Sequence, residues 1–318
     1  MAVVDTLDCL EALKESSKHV IRFLETSTGM LRIAQHEGQF HTGDDPIIAD
    51  KDTHLQFEER LRKSQFWPDL NIWGVVGEER IVQQPKYFTP GARVIVVDPL
   101  DGSTAWAMAR QAYCVAALSL LAGRDRRLAL ECAVISTPVH TFTYSAESAE
   151  FCYGPTSASK GDAEAEIYDY LIQSTVPETD VRPRSLAFNG YKKQDRKFAL
   201  ELMRELSDWD ILTMGGNPFT PYVALGNLTA VMNTRAQCTW DALGTLMCTA
   251  TDAVVGTIDG TVVDGGAFNT LFNKVALEGN VKLIPPMIVA KNMDAFNIVS
   301  DAAGKAFSIA GAPMFDGL

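Results

Sequence analysis

In the stretch VIVVDPLDGSTAW, two acids, Asp98 and Asp101, follow an apolar run and stand three residues apart. Because Pro99 fixes φ, we expect it to end the strand Arg93–Val97 and to turn both carboxylates towards one point. The carbonyl oxygen of Leu100 lies between the two acids along the chain and is a third possible ligand. Hard cations such as Mg²⁺ prefer oxygen ligands of this kind, so the pattern predicts a divalent metal site.

The three residues after the acids, Gly102, Ser103 and Thr104, are suited to a phosphate group. Gly102 would let a ligand approach the backbone, and Ser103 and Thr104 would begin the next helix, STAWAMAR. Free N–H groups and the positive end of the helix dipole favour an anion there. The alternative is a plain turn, because Pro-x-Asp-Gly is common in turns and Ser is a common N-cap.

Further acids end or begin other predicted elements. Glu78 and Glu79 close the strand-like run NIWGVVGEER, and Asp241 follows Trp240 at the start of an apolar helix. Taken separately, the glutamates could be surface charge and Asp241 could be a helix N-cap. Their combination with Asp98 and Asp101 favours a shared role.

Composition excludes several classes of partner. The net charge of −12 over 318 residues argues against a partner that is a nucleic-acid polymer, because such proteins need clustered Lys and Arg. No apolar window approaches the roughly 18 residues of a spanning helix, and the N-terminal residues lack a basic leader, so we expect no membrane partner and a cytoplasmic protein. The six cysteines form no C-x-x-C pair, and the five histidines show no metal-binding spacing. We expect buried or incidental thiols in a reducing compartment. The histidines stand away from the motifs along the chain, and we interpret each as a surface or satisfied residue.

Helical and strand periodicities occur in both halves of the chain, which indicates a layered α/β architecture. We expect helices over 5–35, 53–64 and 197–206, and strands over 113–122, 128–137, 140–147 and 150–154. The first helix has apolar residues at helical spacing: Leu7, Leu10, Leu13, Val20, Ile21 and Leu24. The charged turn GRDRR between the first two strands predicts a hairpin. We expect a helix followed by a strand in each of 222–232 and 239–256, and a strand followed by a helix in 286–304. The segment 154–166 is small, polar and without period, so it predicts a linker or exposed loop. It suggests an N-terminal half over 1–153, an irregular segment over 154–183 and a C-terminal half over 184–318.

Three motifs together resemble the inositol monophosphatase superfamily. They are G-E-E at 77–79, D-P-L-D-G-S-T at 98–104 and W-D at 240–241, in this order and at these separations. The resemblance covers about nine tenths of the chain. Members of this superfamily are Mg²⁺-dependent, lithium-sensitive phosphomonoesterases. The resemblance therefore implies one phosphatase unit over 1–318, with an αβαβα sandwich of the inositol monophosphatase and fructose-bisphosphatase type.

The resemblance also implies roles for individual residues. Glu78 would bridge metals, Asp98, the Leu100 carbonyl and Asp101 would be the other ligands, and Asp241 in the C-terminal half would complete a second metal site. Ser103 would hold the attacking water, and the amides of Gly102, Ser103 and Thr104 would bind the phosphate. Two or three Mg²⁺ ions per site and a homodimer are implied as well.

One segment departs from the family pattern. Members usually carry D-x-V-T-x-x-D before the second helix, whereas this chain has DDPIIADKD, which is one residue shorter and lacks the Thr. Asp44 or Asp45 could be the first acid, and Asp50 the last. We favour Asp45 as the acid that assists water activation, with Ser103, Glu78 and Asp98 as the other catalytic residues. The alternative is a solvated turn before Pro46.

The half that would recognise the alcohol departs further. Thr234 stands seven residues before Asp241, where inositol-type members have a Glu, and Gly216 and Asn217 fall where the family has a Gly-Ser-Ala loop. We expect these three residues to contact the substrate, and a substrate other than inositol phosphate. The expected function is Mg²⁺-dependent hydrolysis of a small sugar, cyclitol or nucleotide phosphate by an activated water. The alternatives are a weakened or inactive homologue that binds metal and a phosphorylated ligand, and a scaffold whose acids are only caps and turns.

Overall fold

The structure is a computed structural model that describes residues 6–26, 48–77, 88–103, 106, 113–156, 184–189, 195–277 and 284–310, with backbone alone at 48–50 and 275–277. The chain divides into two compact units, Met1–Ser159 and Lys160–Leu318. Among the described helices, none is both long enough and apolar enough to cross a membrane.

The first unit is built on a six-stranded sheet whose strands follow chain order. Its strands are β1 (Ile72–Gly77), β2 (Arg93–Asp101), β3 (Cys114–Ala122), β4 (Leu128–Ser136), β5 (His140–Ser145) and β6 (Glu150–Pro155). β1 and β2 are parallel, and every later neighbour is antiparallel. The charged turn GRDRR therefore joins β3 and β4 as the hairpin that the sequence predicts.

Two helices, α1 (Thr6–Thr26) and α2 (Ile48–Arg62), accompany this sheet. α1 packs against β3, β4, β5 and α2, while α2 packs against β2. The stripe Leu13, Val20, Ile21 and Leu24 of α1 recurs at helical spacing and is buried in the core of the unit, whereas Leu7, expected in the same stripe, is exposed. α2 begins five residues earlier than expected from the sequence, and residues 27–47 lie outside the described part of the chain.

A buried ion pair crosses the middle of this sheet. Arg93 of β2 donates from Nε and Nη2 to the two carboxylate oxygens of Glu131 of β4, at 2.9 and 2.7 Å. Ser119 of β3, the strand between them, donates to Glu131 at 2.8 Å, and Arg93 also donates to the Leu70 carbonyl at 3.0 Å. Burial by itself lowers the pKa of Arg93, but Glu131 more than offsets this and the pKa lies above its ordinary value. The pair therefore fixes three adjacent strands to one another.

The second unit has a five-stranded mixed sheet in the order β10-β11-β9-β7-β8. Its strands are β7 (Ser185–Phe188), β8 (Asp210–Leu212), β9 (Ala230–Asn233), β10 (Val254–Thr257) and β11 (Met287–Ala290). β7 runs parallel to β8 and β9, and β11 runs antiparallel to β9 and β10. Its helices are α3 (Arg196–Glu205), α4 (Pro221–Ala224), a 3₁₀ turn (Trp240–Ala242), α5 (Leu243–Cys248), α6 (Gly265–Leu277) and α7 (Met293–Ala310).

Helices α3 and α7 pack on each other and form the core of this unit with the sheet. Phe198 of α3 stacks on Phe307 of α7 with ring centroids 4.4 Å apart. Mixed sheets covered by helices in both units confirm the layered α/β class predicted from the sequence. The sequence periodicity does not predict β7, β8 or α6, and the strand expected to end at Val97 continues to Asp101.

Candidate metal and phosphate site

The two acids of the D-P-L-D motif lie within β2 and not beyond its end, because the strand carries a bulge at Pro99 and Leu100. Asp98 pairs with Ala116 of β3, and Asp101 pairs with Cys114, so three steps along β2 match two steps along β3. Residues three apart in a regular strand face opposite sides of the sheet, and the extra residue of a bulge removes this difference. The bulge therefore sets both acids on the same face.

The environment of Cys114 supports this arrangement. Burial raises the pKa of its thiol well above the ordinary value, and the charges of Asp101 and Asp98 raise it further, so both carboxylates lie near the same sulfur. Asp98 is 7% exposed, and its Oδ1 accepts the N–H of Leu100 at 3.2 Å. Two carboxylates on one face, with a backbone carbonyl between them along the chain, are oxygen ligands only, which fits a hard cation such as Mg²⁺.

The backbone after the acids turns directly into a helical segment. Gly102 has φ of +88°, a left-handed conformation that glycine adopts without strain. Ser103 is helical, and the Trp106 N–H donates to the Gly102 carbonyl at 2.9 Å, as in a helical turn. Trp106 is fully buried in the core of the first unit and anchors this turn. Thr104 lies outside the described residues.

The end of β1 lies against β2 and α2. A Cβ atom added at Gly77 would lie 2.2 Å from the Val97 carbonyl oxygen and 3.3 Å from Nδ1 of His54. Thus only glycine fits there, at the residue that precedes Glu78. His54 stands far from G-E-E along the chain, but it is 3% exposed and its ring lies next to Gly77, the first residue of that motif. No sequence spacing links His54 to Gly77, because the contact depends on how α2 packs.

Several predicted site residues belong to the part of the chain that the structure does not describe in full. Glu78, Glu79, Asp44 and Asp45 lie outside the described residues, and for Asp50 only the backbone is described, within α2. Their assignments therefore stay predictions.

Asp241 lies in the second unit, as the second residue of the 3₁₀ turn Trp240–Ala242. The alternative interpretation of Asp241 as a helix N-cap is wrong for this turn, because its N-cap is Thr239. Its Oδ2 accepts the N–H of Cys238 at 3.2 Å, and its carbonyl accepts from Nε2 of Gln237 at 3.0 Å. Asp241 is partly exposed, and both its side chain and its backbone are held by neighbouring residues.

Thr234 and the Gly215–Gly216 loop are joined through Asn189, which directly follows β7. The Thr234 hydroxyl donates to the Asn189 carbonyl at 3.1 Å, and the Gly215 N–H donates to the Asn189 side-chain oxygen at 2.9 Å. Gly216 has φ of +100°, and its carbonyl accepts from the Thr220 hydroxyl at 2.9 Å. Sequence reasoning missed Asn189, because it lies far along the chain from the residues it holds.

Asn217 is 1% exposed and also bonds to the backbone. Its Nδ2 donates to the Trp240 carbonyl, and its Oδ1 accepts the Gly244 N–H at 2.7 Å. Thr234 is also 1% exposed, and its hydroxyl donates to the Asn189 carbonyl. The side chains of both residues are therefore directed into the protein, and their expected contact with substrate stays a prediction.

A second group of potential ligands lies in the core of the first unit. Within the described ranges, Cys9, Glu131 and Cys132 are the one set of three His, Cys, Asp or Glu residues with ligand atoms within 4.8 Å of one another. Both oxygens of Glu131 are already bonded to Arg93. A hydrogen bond with Cys9 and burial raise the pKa of Cys132 well above its ordinary value, so it stays a neutral thiol. Soft, protonated ligands do not suit Mg²⁺, and we interpret the cluster as core.

Solved structures share this fold over nearly the whole chain. The extragenic suppressor protein SuhB from Bartonella henselae has a TM-score of 0.59 at 16% identity, over 94% of this chain and 98% of that chain. An IMPase of Thermotoga maritima has 0.57 at 14% identity, over 95% and 100%. Staphylococcal inositol monophosphatase-1, in a LiCl-soaked inhibitory complex, has 0.54 at 15% identity, over 96% and 94%.

The fold is that of the inositol monophosphatases, as the three motifs predict. No protein-family model matches the sequence, and no curated protein matches it. Because the identities are low, the likeness establishes the fold and leaves the reaction and the substrate to be argued from the residues.

Proposed function

We propose that this chain, which has the inositol monophosphatase fold, is a Mg²⁺-dependent phosphatase that acts on small phosphomonoesters. The observation that carries the proposal is the bulge in β2, which sets Asp98 and Asp101 on one face. Two adjacent carboxylates with little contact to solvent repel each other, and each has lost part of its hydration. A cation that binds between them lowers the free-energy cost of both effects. Without a cation this arrangement opposes folding, whereas it favours the binding of a metal ion.

The chain offers ligands for more than one ion. Asp98, the Leu100 carbonyl and Asp101 would hold Mg²⁺ together with Glu78, and we assign Asp241 to the second ion. When bound, Mg²⁺ would supply Lewis-acid activation of a water molecule and would stabilise the charge on the ester oxygens.

The residues beside the acids have the remaining roles. The amides of Gly102, Ser103 and Thr104 would donate to the phosphate oxygens, and the left-handed φ of Gly102 turns the backbone there. The Ser103 hydroxyl would orient the attacking water, and Asp45 would assist its deprotonation. These groups act by positioning and by stabilising charge, which is the main requirement of phosphoryl transfer.

We propose that the alcohol group of the phosphate ester differs from inositol. Where inositol-type members have a Glu, Thr234 has a buried hydroxyl that donates to the Asn189 carbonyl. It offers no carboxylate to accept hydrogen bonds from ring hydroxyls. This supports a sugar phosphate, another cyclitol phosphate or a nucleotide monophosphate as substrate.

The test is phosphate release by the purified protein from a panel of these esters, with and without Mg²⁺. We expect Mg²⁺-dependent turnover that Asp98→Asn lowers on the order of 10³-fold, because the variant removes one charged ligand. The variant also controls for contaminating phosphatases. Mg²⁺-dependent ligand binding without phosphate release would instead support a binding protein that has lost turnover.

Lithium sensitivity and assembly are part of the proposal. The similarity to the LiCl-soaked inhibitory complex of the staphylococcal enzyme supports inhibition by Li⁺, which the same phosphate assay would detect. The family resemblance supports a homodimer, which sedimentation would test. Five buried free thiols fit a reducing compartment such as the cytoplasm.

A further inference from the structure

The side-chain amide of Asn217 bonds to backbone groups on both sides of Asp241. Nδ2 donates to the carbonyl of Trp240, one residue before the acid, and Oδ1 accepts the N–H of Gly244, three residues after it. Asn217 is 1% exposed, so water cannot easily replace either bond. These two bonds span the segment that carries the acid.

This contact stabilises a helix start that lacks a side-chain cap of its own. The first N–H groups of a helix have no partner within it, and Gly244 is the second residue of α5. The N-cap of α5, Ala242, makes no side-chain cap bond, and neither does Thr239, the N-cap of the 3₁₀ turn. Asn217 therefore provides, from 27 residues earlier in the chain, the bond that a local Ser, Thr or Asp usually makes.

The loop that presents Asn217 is held by its own hydrogen bonds and packs closely on α5. The N–H and hydroxyl of Thr220 both donate to the Gly216 carbonyl, at 3.1 and 2.9 Å. A Cβ atom added at Gly244 would lie 2.9 Å from Cβ of Thr220 and 3.3 Å from Oδ1 of Asn217. The loop and the helix start thus touch with no spare space, and glycine at 244 permits the approach.

We propose that Asn217 is a positioning residue: it fixes the backbone around Asp241, so that the carboxylate is held ready for the metal we assign to it. The inference rests on the proposed function. It also gives Asn217 a role different from the substrate contact expected from its place in the sequence, because both ends of its amide are already bonded within the protein. Residues that orient metal ligands typically change metal affinity about 10- to 100-fold when they are replaced.

The test compares Asn217→Asp and Asn217→Leu with the wild type. Asn217→Asp keeps an acceptor for the Gly244 N–H but replaces the donor to the Trp240 carbonyl with an oxygen, which repels that carbonyl. Asn217→Leu removes both hydrogen bonds and has a side chain of similar size. Asn227→Asp is the matched control, because Asn227 is exposed. Two quantities are measured: the exchange rate of the Gly244 amide in metal-free protein by NMR, and the Mg²⁺ concentration that gives half-maximal phosphate release.

We expect both Asn217 variants to raise the half-maximal Mg²⁺ concentration about 10-fold or more, with kcat at saturating Mg²⁺ within about threefold of the wild type. The Gly244 amide should exchange faster in Asn217→Leu, and Asn227→Asp should match the wild type in both quantities. A raised KM for the ester with unchanged Mg²⁺ dependence would overturn the inference and restore a substrate contact. Faster exchange with unchanged Mg²⁺ dependence would also overturn it, since the role would then be structural only.

A second measurement covers the case in which the variants fail to fold. In the wild type, saturating Mg²⁺ should slow exchange of the Gly244 amide, because metal bound at Asp241 would stabilise the segment that Asn217 fixes. An unchanged exchange rate in protein shown by calorimetry to bind Mg²⁺ would contradict the inference alone. No Mg²⁺ binding by the wild type at all would contradict the proposed function as well, so the two failures can be told apart.

Discussion

Gly77 at the end of β1 lies so close to β2 that a Cβ atom there would be 2.2 Å from the carbonyl oxygen of Val97. Real Cβ atoms do not approach an oxygen this closely, so any other residue would push the two strands apart. Along the chain, Gly77 directly precedes Glu78, and Val97 directly precedes Asp98. The spacing of these two strands thus bears directly on the position of Asp98, a proposed metal ligand.

Gly77→Ala is therefore expected to destabilise the protein by about 2 kcal/mol or more, as overpacking of a filled interior does. Gly74→Ala in the same strand is the matched control, because a Cβ atom there meets nothing within 4 Å. Urea unfolding of the two variants measures the difference. Equal stabilities would show that the strands can separate at little cost.

Gly102→Ala tests the turn after the acids. An alanine at φ of +88° costs about 1–2 kcal/mol, and Gly91→Ala, at φ of +82° in open space, should cost a similar amount. Only the Gly102 variant should also weaken Mg²⁺-dependent binding of inorganic phosphate, by about 10-fold, because relief of the strain at φ of +88° would move the backbone amides that we propose as donors to phosphate. Calorimetry with phosphate distinguishes the two variants, and equal phosphate affinities would remove Gly102 from the site.

Glu131→Gln tests the buried ion pair of the first sheet. Loss of the carboxylate leaves the Arg93 guanidinium buried without its counter-charge, which typically costs about 3–5 kcal/mol. Glu11→Gln removes a solvent-exposed partner of Lys14 and should cost less than about 1 kcal/mol. Chemical denaturation of both variants checks the contrast, and similar small losses would mean that water reaches the Arg93 guanidinium.

Thiol reactivity tests the burial of the cysteines. Five of the six are buried and Cys152 is exposed, so at pH 8 one thiol should react rapidly with a disulfide reagent such as DTNB. Burial raises the pKa of Cys248 to about 12, which leaves a thiolate fraction of only about 10⁻⁴ at pH 8, and this fraction grows as the pH rises towards that value. Cys152→Ser should abolish the fast phase, and a remaining fast thiol would contradict the buried assignments.

Long periodic elements of this chain could be predicted from the sequence, because their local pattern agrees with their tertiary environment. The stripe of α1 and the β3–β4 hairpin are examples, and the three motifs correctly indicated the fold. By contrast, β7 and β8 have four and three residues and lie below the length at which periodicity is visible. Their positions depend on long-range pairing.

The bulge in β2 shows why the geometry of the site was harder to predict than its residues. Proline usually ends a strand, so the sequence alone favours a turn at Pro99. The antiparallel pairing with β3 instead resumes at Asp101 and absorbs Pro99 and Leu100 as a bulge. The bonds of Asn217 and the contact of His54 with Gly77 are likewise products of packing between distant segments, and no local pattern indicates them.

The most direct test of the central claim is a calorimetric titration of metal-free protein with Mg²⁺, in the wild type and in Asp101→Asn. Asp125→Asn, at an exposed acid in the β3–β4 turn, is the control. We predict that the wild type and the control bind Mg²⁺ equally and that Asp101→Asn binds it at least about 10- to 100-fold more weakly. Equal Mg²⁺ binding by all three proteins, or binding by none, would contradict the assignment of the bulged acids of β2 as a metal site.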